Sequence, residues 1–212
     1  MQIQYLTSKE LSAYEDHSLA TEGVIIAMPF TNVDHAQRAA KLMASRANAP
    51  GMILCIQDEK EAGFIAVVNR AFAKTQSAYF AYVAQDALAG RDWLKEALTA
   101  MGDSKNLLGF NDGKWAGALA GFGLARRSWA TQHYDGNFFY PGYKRHYADA
   151  ELTLLAMQAN AYAYEPNSLL VEVDWDKDTS AVDAADRALF LERKQSGFDG
   201  KVTTPALLNL IS

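Results

Sequence analysis

An aromatic run ends in a carboxylate at Tyr79-Phe80-Ala81-Tyr82-Val83-Ala84-Gln85-Asp86. The run is too short for an ordinary soluble helix, and its residues favour a strand. Ligands of open α/β sheets bind beyond the carboxyl ends of the strands. Asp86 is therefore placed to hold a substrate phosphate or a metal ion. A second apolar run, Met52-Ile53-Leu54-Cys55-Ile56, ends in Gln57-Asp58. Each acid taken singly is equally well a turn residue. Two successive strands ending in an acid put both carboxylates at one sheet edge, and that pairing is a site signal. Asp149 opens an apolar helical run and has the chemistry of a helix N-cap. Arg126-Arg127 could grip a phosphate or form surface ion pairs.

These residues need a frame. Met1 to Leu6 alternates and reads as a short edge strand, and Ser8 to His17 as a short helix capped by Ser8. Gly23 to Pro29 reads as a buried strand stopping at a proline. Thr31 or Asn32 then caps a helix with Ala36, Ala39, Ala40, Met43 and Ala47 on its inner face. Met52 to Ile56 is the next strand. A helix over Gly63 to Gln76 follows, then the Tyr79 strand, then a helix over Arg91 to Met101. This alternation argues for a parallel sheet with helices on both faces.

Further on, Leu107 to Phe110 and Gly121 to Ala125 read as strands around a Gly-rich stretch. Thr131 to His146 is aromatic and carries Gly136, Pro141 and Gly142, so a loop is expected. A helix from Tyr147 through Ala161, a strand over Asn167 to Val173, a helix over Ala184 to Lys194 and an apolar tail from Thr203 complete the chain.

The 212 residues are half hydrophobic and 21% charged, enough for one domain with a substantial core. A net charge of −5 gives no basic footprint for nucleic acid. Cys55 is the single cysteine and sits in an apolar run, which predicts an inert buried thiol. Met1 to Glu10 lacks the pattern of a secretory leader. No window reaches the roughly 18 to 20 apolar residues of a membrane span. A cytoplasmic location is the expectation.

In serial order, these pieces resemble the inverting family 2 type glycosyltransferases with the GT-A fold. The resemblance runs from about Gly23 to about Phe198. Val24 to Thr31 resembles the first strand and its nucleotide-binding loop. Ile53 to Lys60 resembles the second strand, whose acidic end contacts the nucleobase. Gly63 to Ala71 is similar to the family's helix with a central Asn, here Asn69. Ala84-Gln85-Asp86 stands at the Asp-x-Asp metal motif, and Leu88 to Leu98 resembles the helix that follows. Gly121 to Arg127 resembles the acceptor-side strand, and Tyr147 to Leu152 the segment carrying the catalytic base.

The resemblance implies a GT-A-like, Rossmann-like α/β/α sandwich in one domain. It would comprise an N-terminal extension (1–22), a donor half (23–105), an acceptor half (106–180) and a C-terminal helix and tail (181–212). It implies transfer from a nucleotide-diphosphate sugar to a hydroxyl of a glycan, a lipid-linked group or a protein. Asp149 is the implied general base. Pro29, Phe30, Thr31, Asp58, Asn69, Gln85 and Asp86 are implied on the donor side. Arg126, Tyr140, Tyr143 and His146 are implied on the acceptor side, with the aromatic segment as platform or lid. Asp86 and Asp174 would hold Mn²⁺ or Mg²⁺, weakly, because Ala84 replaces the first acid of the motif. The tail Ala206 to Ile211 is a candidate homodimer contact. Ala84 also leaves open a degenerate binding domain. A nucleotidyltransferase is disfavoured, since Met28-Pro29-Phe30-Thr31 is not a Gly-rich basic loop.

Overall fold

The computed structural model describes residues 1–173 and 183–211. In chain order the elements are β1 (Gln2–Thr7), α1 (Ser8–Ala13), β2 (Leu19–Ala20), β3 (Val24–Phe30), α2 (Val33–Arg46), β4 (Gly51–Gln57), α3 (Phe64–Lys74), β5 (Thr75–Gln76), β6 (Tyr79–Tyr82) and β7 (Ala87–Ala89). There follow α4 (Trp93–Met101), β8 (Leu107–Asn111), β9 (Gly123–Arg126), α5 (Arg127–Ala130), a 3₁₀ turn (Tyr134–Gly136), α6 (Ala148–Gln158), β10 (Tyr162–Glu172), α7 (Ala184–Gln195), α8 (Gly197–Gly200) and α9 (Pro205–Leu208).

The large sheet runs β1-β4-β3-β6-β9-β8-β10-β7, and β2 pairs with β5 apart from it. β1, β4, β3 and β6 are mutually parallel, β9 is antiparallel to β6 and β8, and β10 is parallel to β8. The carboxyl ends of β3, β4, β6, β8 and β10 therefore share one edge. Thr31, Asp58, Asp86, Asp112 and Val173 follow those strands at that edge.

Central β3 is buried at all seven positions, as a strand covered on both faces must be. Its alternation sorts the core. Val24, Ile26, Met28 and Phe30 meet Ala36, Ala40 and Met43 of α2 and Trp93 and Leu94 of α4. Ile25 and Ala27 face the other layer, with Leu11 of α1, Phe72 of α3, Leu152 of α6 and Phe190 of α7. The result is the expected α/β/α sandwich.

Four local expectations need correction. Helix α1 is six residues long and capped by Thr7, whose hydroxyl accepts from the Glu10 amide while Glu10 accepts from the Thr7 amide. Pro29 does not end its strand; β3 continues to Phe30, paired with Gln57. Strand β10 starts at Tyr162, earlier than Asn167, and its register with β8 shifts between Tyr164 and Leu169, across Pro166. Strand β7, unexpected, borders β10 in antiparallel register. Residues 1–22 are also built into the domain, since β1 pairs in register with β4 from Gln2 to Thr7.

Among the described residues, no helix is long and apolar enough to cross a membrane. In the tail, Leu207, Leu208 and Ile211 pack on the core while Leu210 is exposed.

Candidate active site

The sheet edge beyond β3 and β6 is knit by one side chain. Gln85 Oε1 accepts the amides of Thr31 at 2.9 Å and Asn32 at 2.8 Å. Asn32 in turn accepts the Asp34 and His35 amides and caps α2. Gln85 thus ties the ends of β6 and β3 together. Pro29 and Phe30 are buried in the sheet, so of that trio only Thr31 is exposed at the edge. Asp86 is 5% exposed, and its carbonyl accepts the Val173 amide.

Several expected site residues have other partners. Asp58 closes its own loop, accepting the amides of Ala62 and Gly63 on separate oxygens, so the turn reading describes its contacts and no nucleobase role is visible in them. Asn69 faces the interior and exchanges two hydrogen bonds with the backbone of Phe139, at 2.8 and 3.0 Å. That pairing anchors the aromatic segment to α3 and takes Asn69 away from the donor edge. Arg126 lies at the opposite edge of the sheet because β9 runs antiparallel. It donates to the Lys105 and Gly102 carbonyls and the Tyr79 hydroxyl, away from the carboxyl ends of β3 and β6.

Most of the aromatic segment is core, with Phe138 and Phe139 fully buried, and its end at Arg145, His146 and Tyr147 lines a cavity. Tyr143 is buried and donates to Glu151, and Tyr140 lies under the Arg193 guanidinium, 3.5 Å from ring centroid to charge. Neither tyrosine lines the cavity beside Asp149. Aromatic residues in a loop signal burial as readily as recognition. Asp174 lies outside the described residues.

Asp149 sits in the first turn of α6, after Tyr147 in the left-handed region at φ +68°. Its Oδ1 accepts the Ala150 amide at 2.9 Å, so it does not take the helix-cap position; Tyr147 does. The carboxylate opens onto a cavity of about 420 Å³. His146 shares that cavity, with its amide on Asp186 and Nδ1 accepting from the Asp183 amide. Asp149 keeps a strip of surface toward the cavity but is otherwise packed in protein. Burial lifts its carboxyl to about 6; backbone amides oppose the lift, and the charges of Glu172 and Asp112 add to it.

Three site residues escaped the sequence reading. Asp112 follows β8 as Asp58 and Asp86 follow their strands, so the same strand-end rule identifies it. It is 2% exposed. Its Oδ1 accepts the amides of Lys114 and Trp115, and this turn presents Trp115 to the cavity. Trp115 is 48% exposed. Gly121 lies beneath it: a Cβ there would come within 2.9 Å of Asp112 Oδ2 and 3.2 Å of the indole. Glu172 donates its amide to the Asp112 carbonyl and pairs with Lys114 at 2.9 Å. Residues 172 and 173 thereby join the Asp112 and Asp86 loops. Among the described residues, no three His, Cys, Asp or Glu side chains converge to hold a metal ion.

No protein-family model matches the chain, and no curated protein matches it by sequence. Solved structures do. A mannosyltransferase from Pyrobaculum calidifontis, in complex with GDP-Man and Mn²⁺, superposes with a TM-score of 0.64 at 13% identity, over 96% of this chain and 74% of that one. A Drosophila galactosyltransferase 7 variant, complexed with manganese, UDP-Gal and xylobiose, superposes at 0.58 and 13% identity, over 79% of each chain. Glucosyl-3-phosphoglycerate synthase from Mycobacterium tuberculosis, with Mg²⁺ and UDP, gives 0.59 at 10% identity, over 96% and 88%. The chain has the GT-A fold.

Proposed function

We propose that this protein is a nucleotide-sugar-dependent glycosyltransferase that inverts the anomeric centre, with Asp149 as general base. The observation that carries the reading is the Asp149 carboxyl, lifted to about 6 at the wall of a cavity on a GT-A frame. A base of that strength is charged at neutral pH yet keeps affinity for a proton. In the reaction, the acceptor hydroxyl gives its proton to Asp149. Its oxygen bonds to the anomeric carbon from the face opposite the diphosphate. The bond from that carbon to the diphosphate oxygen breaks, and the diphosphate leaves with the electron pair.

The edge beyond β3 and β6 is the donor side. Thr31 and Asn32, fixed by Gln85, present the exposed turn there. The carboxylate of Asp86 offers hard oxygen at a strand end. Such a donor fits Mg²⁺ or Mn²⁺ held mainly by phosphate and water, which needs few protein ligands. When bound, that ion would neutralise the diphosphate. The protein's own part is to place Asp86 against that group and to keep the Asp149 side dry.

A thermal-shift panel of UDP, GDP, TDP, CDP and ADP, each with and without Mn²⁺, tests the reading. Binding to the folded state alone raises stability by RT ln(1 + [L]/Kd). Stabilisation by one diphosphate, enhanced by Mn²⁺, supports the transferase. Ala84, together with the lack of a three-ligand group among the described residues, favours one alternative, a GT-A-fold binding domain without transfer. A flat panel would select that domain.

A further inference from the structure

We infer that the acceptor is an alcohol carried on an apolar body that also bears an anionic group, a carboxylate or a phosphate. This rests on the glycosyl-transfer reading and names the substrate class of its acceptor cavity. Seven of the ten residues lining the cavity are apolar or aromatic, and only Arg145, His146 and Asp149 bring charge or polar nitrogen. Trp115 and Leu210, 48% and 51% exposed, are two of seven large apolar side chains exposed among the described residues. Both flank this one cavity, with Ile211 and Leu119 behind them. The Trp115 position is built, through the Asp112 turn and the bare floor at Gly121. Exposed apolar surface of this kind, gathered around a reactive group, marks a binding site.

A bare sugar is a poor match. Each of its hydroxyls must exchange water for a protein partner, and a stranded one costs about 1–3 kcal/mol. The side chains available are few and partly engaged: one Asp149 oxygen holds the Ala150 amide, and His146 Nδ1 accepts from the Asp183 amide.

The charge at the rim is equally deliberate. Asp186 is 3% exposed and accepts the amides of Lys144, Arg145 and His146 at 2.8–2.9 Å. That clamp fixes the backbone from which Arg145 reaches the cavity. The Arg145 guanidinium makes no ion pair or hydrogen bond among the described residues, and it is exposed. It is the charge complement of an anionic group on the acceptor.

Isothermal titration on the full chain tests this with ω-hydroxyoctanoate and p-hydroxyphenylacetate, their neutral counterparts octanediol and tyrosol, and glucose. The two acids should bind about tenfold more tightly than their neutral counterparts, with glucose weakest. R145Q should remove the preference for the acids and leave the diols unchanged. W115A should weaken all four apolar probes about tenfold, with W115F in between. Tighter binding of the octanoate indicates an acyl-type body; tighter binding of the phenylacetate, an aromatic one. Glucose binding as tightly as the acids, or an R145Q variant with the acid preference intact, overturns the inference. The diphosphate panel on the same preparations separates the two failures. Nucleotide binding without acid binding removes this acceptor and leaves the transferase standing. Acid binding with a flat nucleotide panel removes the transferase and leaves an anion-selective apolar pocket.

Discussion

Asp149 and Glu151 are two residues apart on the first turn of α6, and they have opposite fates. Glu151 is fully buried and surrounded by donors: Arg193 Nε and Nη2 reach its two oxygens at 2.8 Å, and the Tyr143 hydroxyl adds 2.9 Å. Asp149 faces a cavity, has no cation of its own among the described residues, and feels the like charges of Asp112 and Glu172. A helix turn of 100° per residue puts positions two apart on opposite faces. One face meets α7, which brings Arg193; the other meets the loop after β8, which brings Asp112. The same side-chain chemistry is fixed by pairing in the first case and made proton-hungry by its lack in the second. A buried carboxylate with a full donor set is held as an ion pair, while one without it has its affinity for a proton raised.

Breaking each corner should give different losses. D149N should lower transfer roughly a thousandfold, within the usual range for a general base, and leave diphosphate binding intact. A transfer assay beside the thermal-shift panel checks both halves, and retained activity would remove Asp149 from the mechanism. E151Q should act on stability. It leaves the Arg193 guanidinium buried with half its partner, at about 3–5 kcal/mol. For a chain of this size that is a fall in Tm of about 10 °C, read by calorimetry. An E151Q protein as stable as the wild type would mean that Asp199, 3.1 Å from Arg193, is the real counter-ion.

The Asp149 lift also has a sign that can be measured. The native carboxyl holds its proton more tightly than the unfolded chain does, since its value is near 6 against an ordinary 3.8. Between about pH 4 and pH 6 the native state therefore binds the extra proton, and wild-type stability falls as pH rises through that window. D149N has no charge to bury. It should exceed the wild type by about 2 kcal/mol above pH 7, allowing for the strip of Asp149 open to the cavity, and match it below pH 4. Transfer by the wild type should rise through pH 6 as the base form appears. A difference between the two proteins that is constant with pH would show that Asp149 is not lifted.

The frame was legible in the sequence because periodicity reports burial. β3 and β4 are continuous apolar runs, and the inner faces of α2 and α3 repeat at helical spacing. What periodicity does not carry is the identity of a neighbour distant in the chain. The resemblance implies Asn69 on the donor side, but its partner is Phe139, seventy residues on. Arg126 looked like an acceptor-side residue, but the antiparallel direction of β9 reverses its edge. Strand direction is a property of pairing, which no local pattern encodes. Asp112 also ends a strand, β8, that runs in the same direction as β6, but the Gly-rich stretch after it masks that edge position in the local pattern.

The smallest test distinguishes most finely between the two corners. Tyr143 lies in the aromatic segment that resembles an acceptor platform, yet its side chain is 3% exposed and its hydroxyl donates to Glu151. Burial, with the Glu151 charge adding to it, raises the phenol above its ordinary value, so it remains a donor at every working pH. Y143F removes one hydrogen bond to a charged acceptor and keeps the ring in place against Tyr140. The cost should be about 1.5 kcal/mol, the low end for a bond to a charged group, or about 4 °C in Tm, since Arg193 still reaches both Glu151 oxygens. Acceptor KM and kcat should not move, because the ring faces the ion pair and the cavity lies across the helix at Asp149. A change in acceptor KM with Tm unaltered would put Tyr143 on the acceptor side and join the two corners into one site.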